Sequence, residues 1–191
     1  MFCKLNHELT QLSPYKATLW GLSCIDRILH LYKNFEEEIA GEEDEYFKDF
    51  KVGYSELHKL FNIALSFVCG QNKNPDLTGL IDRTLSYAPD TEDISGINAV
   101  IAQNCAIGLS YIFQFIETTD IKFIIYCRDK AADTIDIISF HKNEDDKTLN
   151  ERLEIEASIE QEAIELISCL PEKPSISDIN LILEFDKCHK I

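Results

Sequence analysis

The sequence predicts an all-α fold, a single-domain helical bundle of about seven helices around a central apolar helix. Three observations carry that prediction. Apolar residues recur with a period near 3.6 along almost the whole chain, the spacing that lines one face of an α-helix. Period-two alternation, the mark of a half-buried strand, is confined to Phe123–Cys127, inside a longer helical pattern. Residues 96–116 carry no charge, yet include Asn98, Gln103, Asn104, Ser110 and Gln114, too many polar groups for hydrocarbon, so the run reads as a buried helix.

Each element has its own signals. Ser13-Pro14 is an N-cap followed by proline at the first helical position. After it Ala17, Trp20, Cys24, Ile25, Ile28, Leu31, Tyr32 and Phe35 share a broad apolar face, while Lys16, Ser23, Asp26, Arg27, His30 and Lys33 occupy the other. A second helix is expected from Asp44 to Cys69, broken near Gly53, with Leu57, Leu60, Phe61, Ala64, Leu65 and Val68 at core spacing. Gln71-Asn72-Lys73-Asn74-Pro75 reads as a loop. A short helix from Asp76 to Tyr87 stops before Pro89, and Asp90-Thr91-Glu92-Asp93 leads to the central helix, Gly96 to Glu117, with Ser95 as its expected cap. Two more helices follow: Asp120 to about Phe140, capped by Asp120, and Thr148 to Leu170, capped by Thr148 with Glu151 placed for a capping box and Pro171 as its stop. Residues 171–191 read as a loosely attached C-terminal segment, weakly helical from Ser177 to Phe185.

Composition narrows the class further. A chain of 191 residues, 45% apolar, suffices for one domain burying about 70% of its unfolded surface, so one domain over residues 1–191 is expected. Residues 1–8 lack the apolar stretch of a signal peptide, which predicts a cytoplasmic protein with no membrane attachment. The seven cysteines form no Cys-x-x-Cys pair, and Cys24, Cys69, Cys105, Cys127 and Cys169 fall within apolar helical patterns, as reduced core thiols do.

Some residues carry a family resemblance. Asp26-Arg27-Ile28-Leu29 with Tyr32 and Phe35 resembles the Glu-Arg-Leu-(x)-Pro-x-Tyr-x-x-Phe signature of the YjaG-like bacterial family of unknown function, with His30 in the place of the proline. Ala88-Pro89-Asp90-Thr91-Glu92-Asp93 is similar to that family's Pro-x-x-Asp loop, and a small-residue helix follows at Ala99, Ala102 and Ala106. The agreement runs from about Leu12 to Pro171 and departs at the C-terminus, which lacks the family's Ser-Asn-Ile-Gly ending. The resemblance implies an all-helical fold and names no reaction.

Catalytic motifs are missing. No Glu-x-x-His pair suits a di-iron bundle, no Gly-x-Ser-x-Gly elbow or cysteine-protease signature surrounds a nucleophile, and seven glycines form no phosphate-cradling loop. Asp90, Asp93, Glu117 and Asp120 are i, i+3 carboxylate pairs of the kind that hold Mg²⁺, but a helix of this length separates them by about 30 Å. Neither a metal site nor a cofactor is expected.

Charge is the remaining signal. With 34 acidic residues against 18 basic, the net charge is −16, which disfavours direct binding of DNA or RNA and favours basic protein partners. Glu36, Glu37, Glu38, Glu42, Glu43, Asp44 and Glu45 form one dense run, with Phe47, Phe50 and Tyr54 interleaved or adjacent as aromatic anchors. Glu144, Asp145 and Asp146, continued by Glu151, Glu154, Glu156, Glu160, Glu162 and Glu165, form a second. These residues predict a non-enzymatic protein-binding domain, an immunity or antitoxin-type inhibitor of a basic toxin enzyme being the leading form. A metal-dependent hydrolase of small phosphorylated substrates and a housekeeping factor of the resembled family are the alternatives.

Overall fold

The structure, a computed structural model, describes residues 2–71 and 76–191, with side chains from Leu5 onward; the loop expected at Gln71–Pro75 falls, beyond Gln71, outside the described residues. Those residues form nine α-helices and no strand: α1 (Phe2–Leu9), α2 (Pro14–Leu29), α3 (Tyr32–Glu38), α4 (Gly53–Val68), α5 (Leu77–Leu85), α6 (Ile97–Thr118), α7 (Lys122–His141), α8 (Asp146–Ser168) and α9 (Ile176–Cys188). The all-α reading holds. The additional helices are α1 and α3.

Helix α3 arises because the expected first helix breaks at His30 and Leu31. There the backbone tightens to i, i+3 bonds, Leu31 N to Ile28 O at 2.9 Å and Asn34 N to Leu31 O at 3.0 Å, and the chain turns before Tyr32. The break near Gly53 takes the form of two 3₁₀ turns, Glu45–Phe47 and Phe50–Val52, ahead of α4. Gly53 is required there by close approach, since a Cβ would enter the ring of buried Tyr32.

Three caps differ from expectation. Gly96, at φ 139°, starts α6 in the place expected for Ser95, with no side-chain cap and in a conformation that a residue with a Cβ would adopt only with strain. Asp145, not Thr148, caps α8, its Oδ1 accepting from Thr148 N at 2.8 Å. Ile121 precedes α7, while Asp120 Oδ1 accepts from Lys122 N at 3.1 Å. Ser13 caps α2 as read, its side chain accepting from Lys16 N.

Two helices share the centre. Helix α6 packs against α7, α5, α2, α3 and α4, and α2 packs against α7, α6, α4, α8 and α9. They cross where small residues let them close: a Cβ on Gly21 would meet Ile112 Cδ1, and one on Gly108 would meet Ile25 Cδ1. Helix α6 is long and apolar enough to cross a membrane, but 67% of its most apolar stretch is buried within the fold. Helix α2 is the more completely enclosed, buried on both sides from Ala17 to Leu29 except at Asp26.

The C-terminal segment expected to hang loosely instead ends in α9, whose capping box pairs Ser175 with Asp178. Ile179, Ile182 and Asp186 are buried against the neighbouring helices, and this anchors it.

Candidate functional site: an acidic face and a buried charge cluster

The first acidic run divides by role. Glu36 Oε1 accepts from Tyr54 N at 2.7 Å and so caps the start of α4, and Glu38 Oε2 accepts from Asn98 Nδ2 at 2.8 Å, tying α3 to α6. Asp44 Oδ1 receives Tyr46 N at 2.9 Å and starts the first 3₁₀ turn. Glu45 pairs with Lys48 at 2.8 Å, both well exposed. Lys51 spends its ammonium on the carbonyls of Ala40 and Glu42, pinning the loop without neutralising its carboxylates. Glu37, Glu42 and Glu43 stand exposed.

The fold adds carboxylates that the linear run did not contain. The loop before α6 brings Asp90 and Asp93 against Tyr46, whose hydroxyl is held above its ordinary pKa by its surroundings and by these two acids. Glu92 is exposed on the same turn, its amide donating to Asp90 Oδ1 at 2.9 Å. Residues 36–49 and 90–93 thus form one acidic face with Tyr46 between its halves. At 43% exposure Tyr46 is the open aromatic of this face; sequence reasoning passed over it because periodicity does not tell which of Tyr46, Phe47 and Phe50 turns inward.

The aromatic anchors expected from sequence sit otherwise. Phe50 is only 7% exposed, edge-on to Phe35 at 6.0 Å and to Tyr46 at 5.6 Å, and therefore belongs to the core. Phe47 is half-buried under Tyr46, and Tyr54 is half-buried with Lys33 Nζ 4.4 Å from its ring centre.

The second acidic run does not form one solvated face. Glu144 is half-buried and takes Arg152 at 2.7 Å, Asp145 caps α8, and Asp146 is exposed in its first turn. Glu156 and Glu160, read as surface, are buried. So are Ser23 and Arg27, read as the polar face of α2, because α8 and α9 cover that side.

Ser23 and Arg27 meet Asp186 of α9 in the interior, and Glu156 and Glu160 lie on the α8 side of the same arginine. Arg27 pairs with Glu156 through Nη2 and stands 3.6 Å from Asp186 Oδ1 through Nη1; Ser23 Oγ donates to that same Oδ1 at 2.5 Å. Arginine stays charged at any relevant pH, so at least one buried carboxylate must match it. Burial, then repulsion from Glu156, pushes Glu160 up to about 8. Burial pushes Asp186 up to about 7, with the Ser23 hydroxyl and Arg27 restraining it. Trp20 Nε1 donates to the Glu160 carbonyl at 3.1 Å and closes this layer. No linear motif announces the cluster: its members come from three helices up to 163 residues apart.

Three of the thiols belong to the core. Cys24, Cys105 and Cys127 are buried, with burial raising each pKa, so they remain protonated; Cys169 and Cys188 are exposed, against the expectation that Cys169 lies in the core. Among the described residues no three His, Cys, Asp or Glu side chains converge as metal ligands. The carboxylate pairs at Asp90 and Asp93 and at Glu117 and Asp120 flank opposite ends of unbroken α6.

No family model matches the chain, and no curated protein matches it. Among solved structures it is similar to a DUF416 family protein from Shewanella baltica OS155, with a TM-score of 0.73, 13% identity, and coverage of 96% of this chain and 93% of that one. At this identity the likeness is one of fold, and the chain shares the all-helical fold of that DUF416 protein over nearly its whole length.

Proposed function

We propose that this protein is a non-enzymatic protein-binding domain that docks a basic protein on the face formed by residues 36–49 and 90–93, as an inhibitor of the immunity or antitoxin type acting on a cationic enzyme. The observation that carries the reading is the convergence of the two acidic loops around half-exposed Tyr46, where Lys48 is the one basic residue within these segments and pairs with Glu45, and Lys51 just beyond them is spent on backbone carbonyls. Like charges gathered at one face lower that face's own stability, and a partner of opposite charge removes the cost while raising the association rate. Tyrosine at the centre of such a face supplies an anchor with little rotamer entropy to lose. Membership of the uncharacterised family that the sequence resembles is compatible with this role and assigns no other.

A photoreactive residue at position 46, used in the protein's own host extract, should crosslink to a protein of basic isoelectric point. With that protein purified, replacing Glu42, Glu43 and Glu45 by Gln should slow association roughly tenfold at low salt and flatten its salt dependence, with dissociation little changed, because exposed charges act at encounter over a Debye length of about 8 Å. A neutral or acidic partner, or an unaltered rate and salt slope in the triple variant, would remove the basis of the proposal.

A further inference from the structure

Helices α2, α4 and α9 leave a cleft of about 210 Å³ between them. Asp26 and His30 come from the end of α2, His58 and Asn62 from α4, and Lys187 and Lys190 from the end of α9 and the residues after it. This is a place where a strongly acidic chain gathers two ammonium groups and two imidazoles around one concavity.

The charges are unequally engaged. Lys187 Nζ lies 2.5 Å from Glu184 Oε1, so that pair is internally neutral. Lys190 and Asp26, by contrast, form no ion pair within 4 Å and no side-chain hydrogen bond among the described residues. They nonetheless feel each other: burial raises the Asp26 pKa, and Lys190 is the foremost charge opposing that rise, followed by His58. One carboxylate and one ammonium therefore face the same space without touching.

His58 is held as a donor. Asn62 Nδ2 lies 2.8 Å from the His58 carbonyl oxygen, which can only accept, so this atom is the amide nitrogen; it also lies 3.1 Å from His58 Nδ1, which must then accept as well. The proton of a neutral His58 is left on Nε2. The ring is kept in place between Tyr54 and Phe61, at 6.0 and 6.4 Å between centroids.

Size and charge select the occupant. The cleft is smaller than the about 300 to 1,000 Å³ typical of drug-sized ligands. A plain anion would bring its charge against Asp26, and a plain cation would bring its charge against Lys190. A molecule with both groups satisfies both walls. We propose that the cleft binds a small zwitterion, an amino acid or close derivative, with its carboxylate on Lys190 and the His58 Nε2–H and its ammonium on Asp26.

Titration calorimetry of the full chain with each of the common amino acids, and with propionate, propylammonium and inorganic phosphate, tests this. At least one amino acid should bind saturably and at least tenfold more tightly than any of the three single-charge probes. Lys190→Gln, at an exposed position, and Asp26→Asn, which removes a charge that burial already disfavours, should each weaken it tenfold or more without lowering the melting temperature. Three results overturn the proposal: no saturable binding at millimolar amino acid, binding that neither substitution changes, or phosphate or propionate binding equally well through Lys190 with no dependence on Asp26.

Discussion

Glu160→Gln tests the buried charge cluster most directly. Glu160 is 2% exposed and its pKa stands at about 8 against an ordinary 4.5, with burial the main cause and Glu156 the second. An acid whose folded pKa is raised binds its proton more tightly in the native state than in the unfolded chain. Its contribution is thus most favourable below pH 4.5 and is lost progressively as pH climbs to about 8, where the loss levels off. At about 1.4 kcal/mol per pKa unit, the part of this falling between pH 5 and pH 8 is about 3 kcal/mol, a large share of the roughly 5 to 15 kcal/mol that holds a domain together. Asp186, raised to about 7, adds a slope of the same sign, while His30, held low by burial, adds one of opposite sign around its ordinary 6.5. Trp20 is the chain's single tryptophan, is fully buried and touches the Glu160 carbonyl, so its fluorescence reports urea unfolding at the cluster itself. The wild-type protein should lose stability from pH 5 to pH 8. Glu160→Gln keeps the shape and removes the titration, so its profile should be flatter by about 3 kcal/mol over that window, with the greatest gain over wild type at pH 8. A variant that keeps the full wild-type slope would show that the slope comes from Asp186 and the diffuse −16 charge and that Glu160 is not held protonated.

Two further outcomes follow from the packing. Arg27→Met strands Glu156 and Asp186 in the interior and should cost about 3 to 5 kcal/mol at pH 8, less at pH 5 where the stranded carboxyls take up protons; an equal loss at both pH values in urea unfolding would contradict the pairing. Gly53→Ala should destabilise by about 1 to 3 kcal/mol through contact with the Tyr32 ring, whereas Gly41→Ala, which meets nothing within 4 Å, should be nearly neutral in thermal melts.

Much of the helical framework is legible in the sequence because capping and breaking are local. Ser13-Pro14, Asp76, Gly53 and Pro171 mark boundaries through hydrogen bonds or steric limits that reach only a few residues. Where two neighbouring residues could each serve, locality was not enough: Gly96 and Asp145 took the positions assigned to Ser95 and Thr148, since backbone geometry chose between near-equal candidates. The break between α2 and α3 carries no glycine or proline; the turn sets Tyr32 against Gly53 and edge-on to Phe35, tertiary contacts that no local signal announces.

The sequence by itself determined the all-helical class, the apolar identity of α6 and the strong negative charge, all properties summed from short windows or from composition. The tertiary structure alone decided which charges face water. Ser23, Arg27, Glu156, Glu160 and Asp186 look like surface residues on their own helices, and three helices must pack together before they share one desolvated layer. In the same way, Glu42 to Asp49 and Asp90 to Asp93 lie some forty positions apart in the chain and form one face only after α3, the 3₁₀ turns and the start of α6 are brought side by side. Burial and electrostatic potential depend on distance in space, and a periodicity read along one helix holds no information about what covers its polar side.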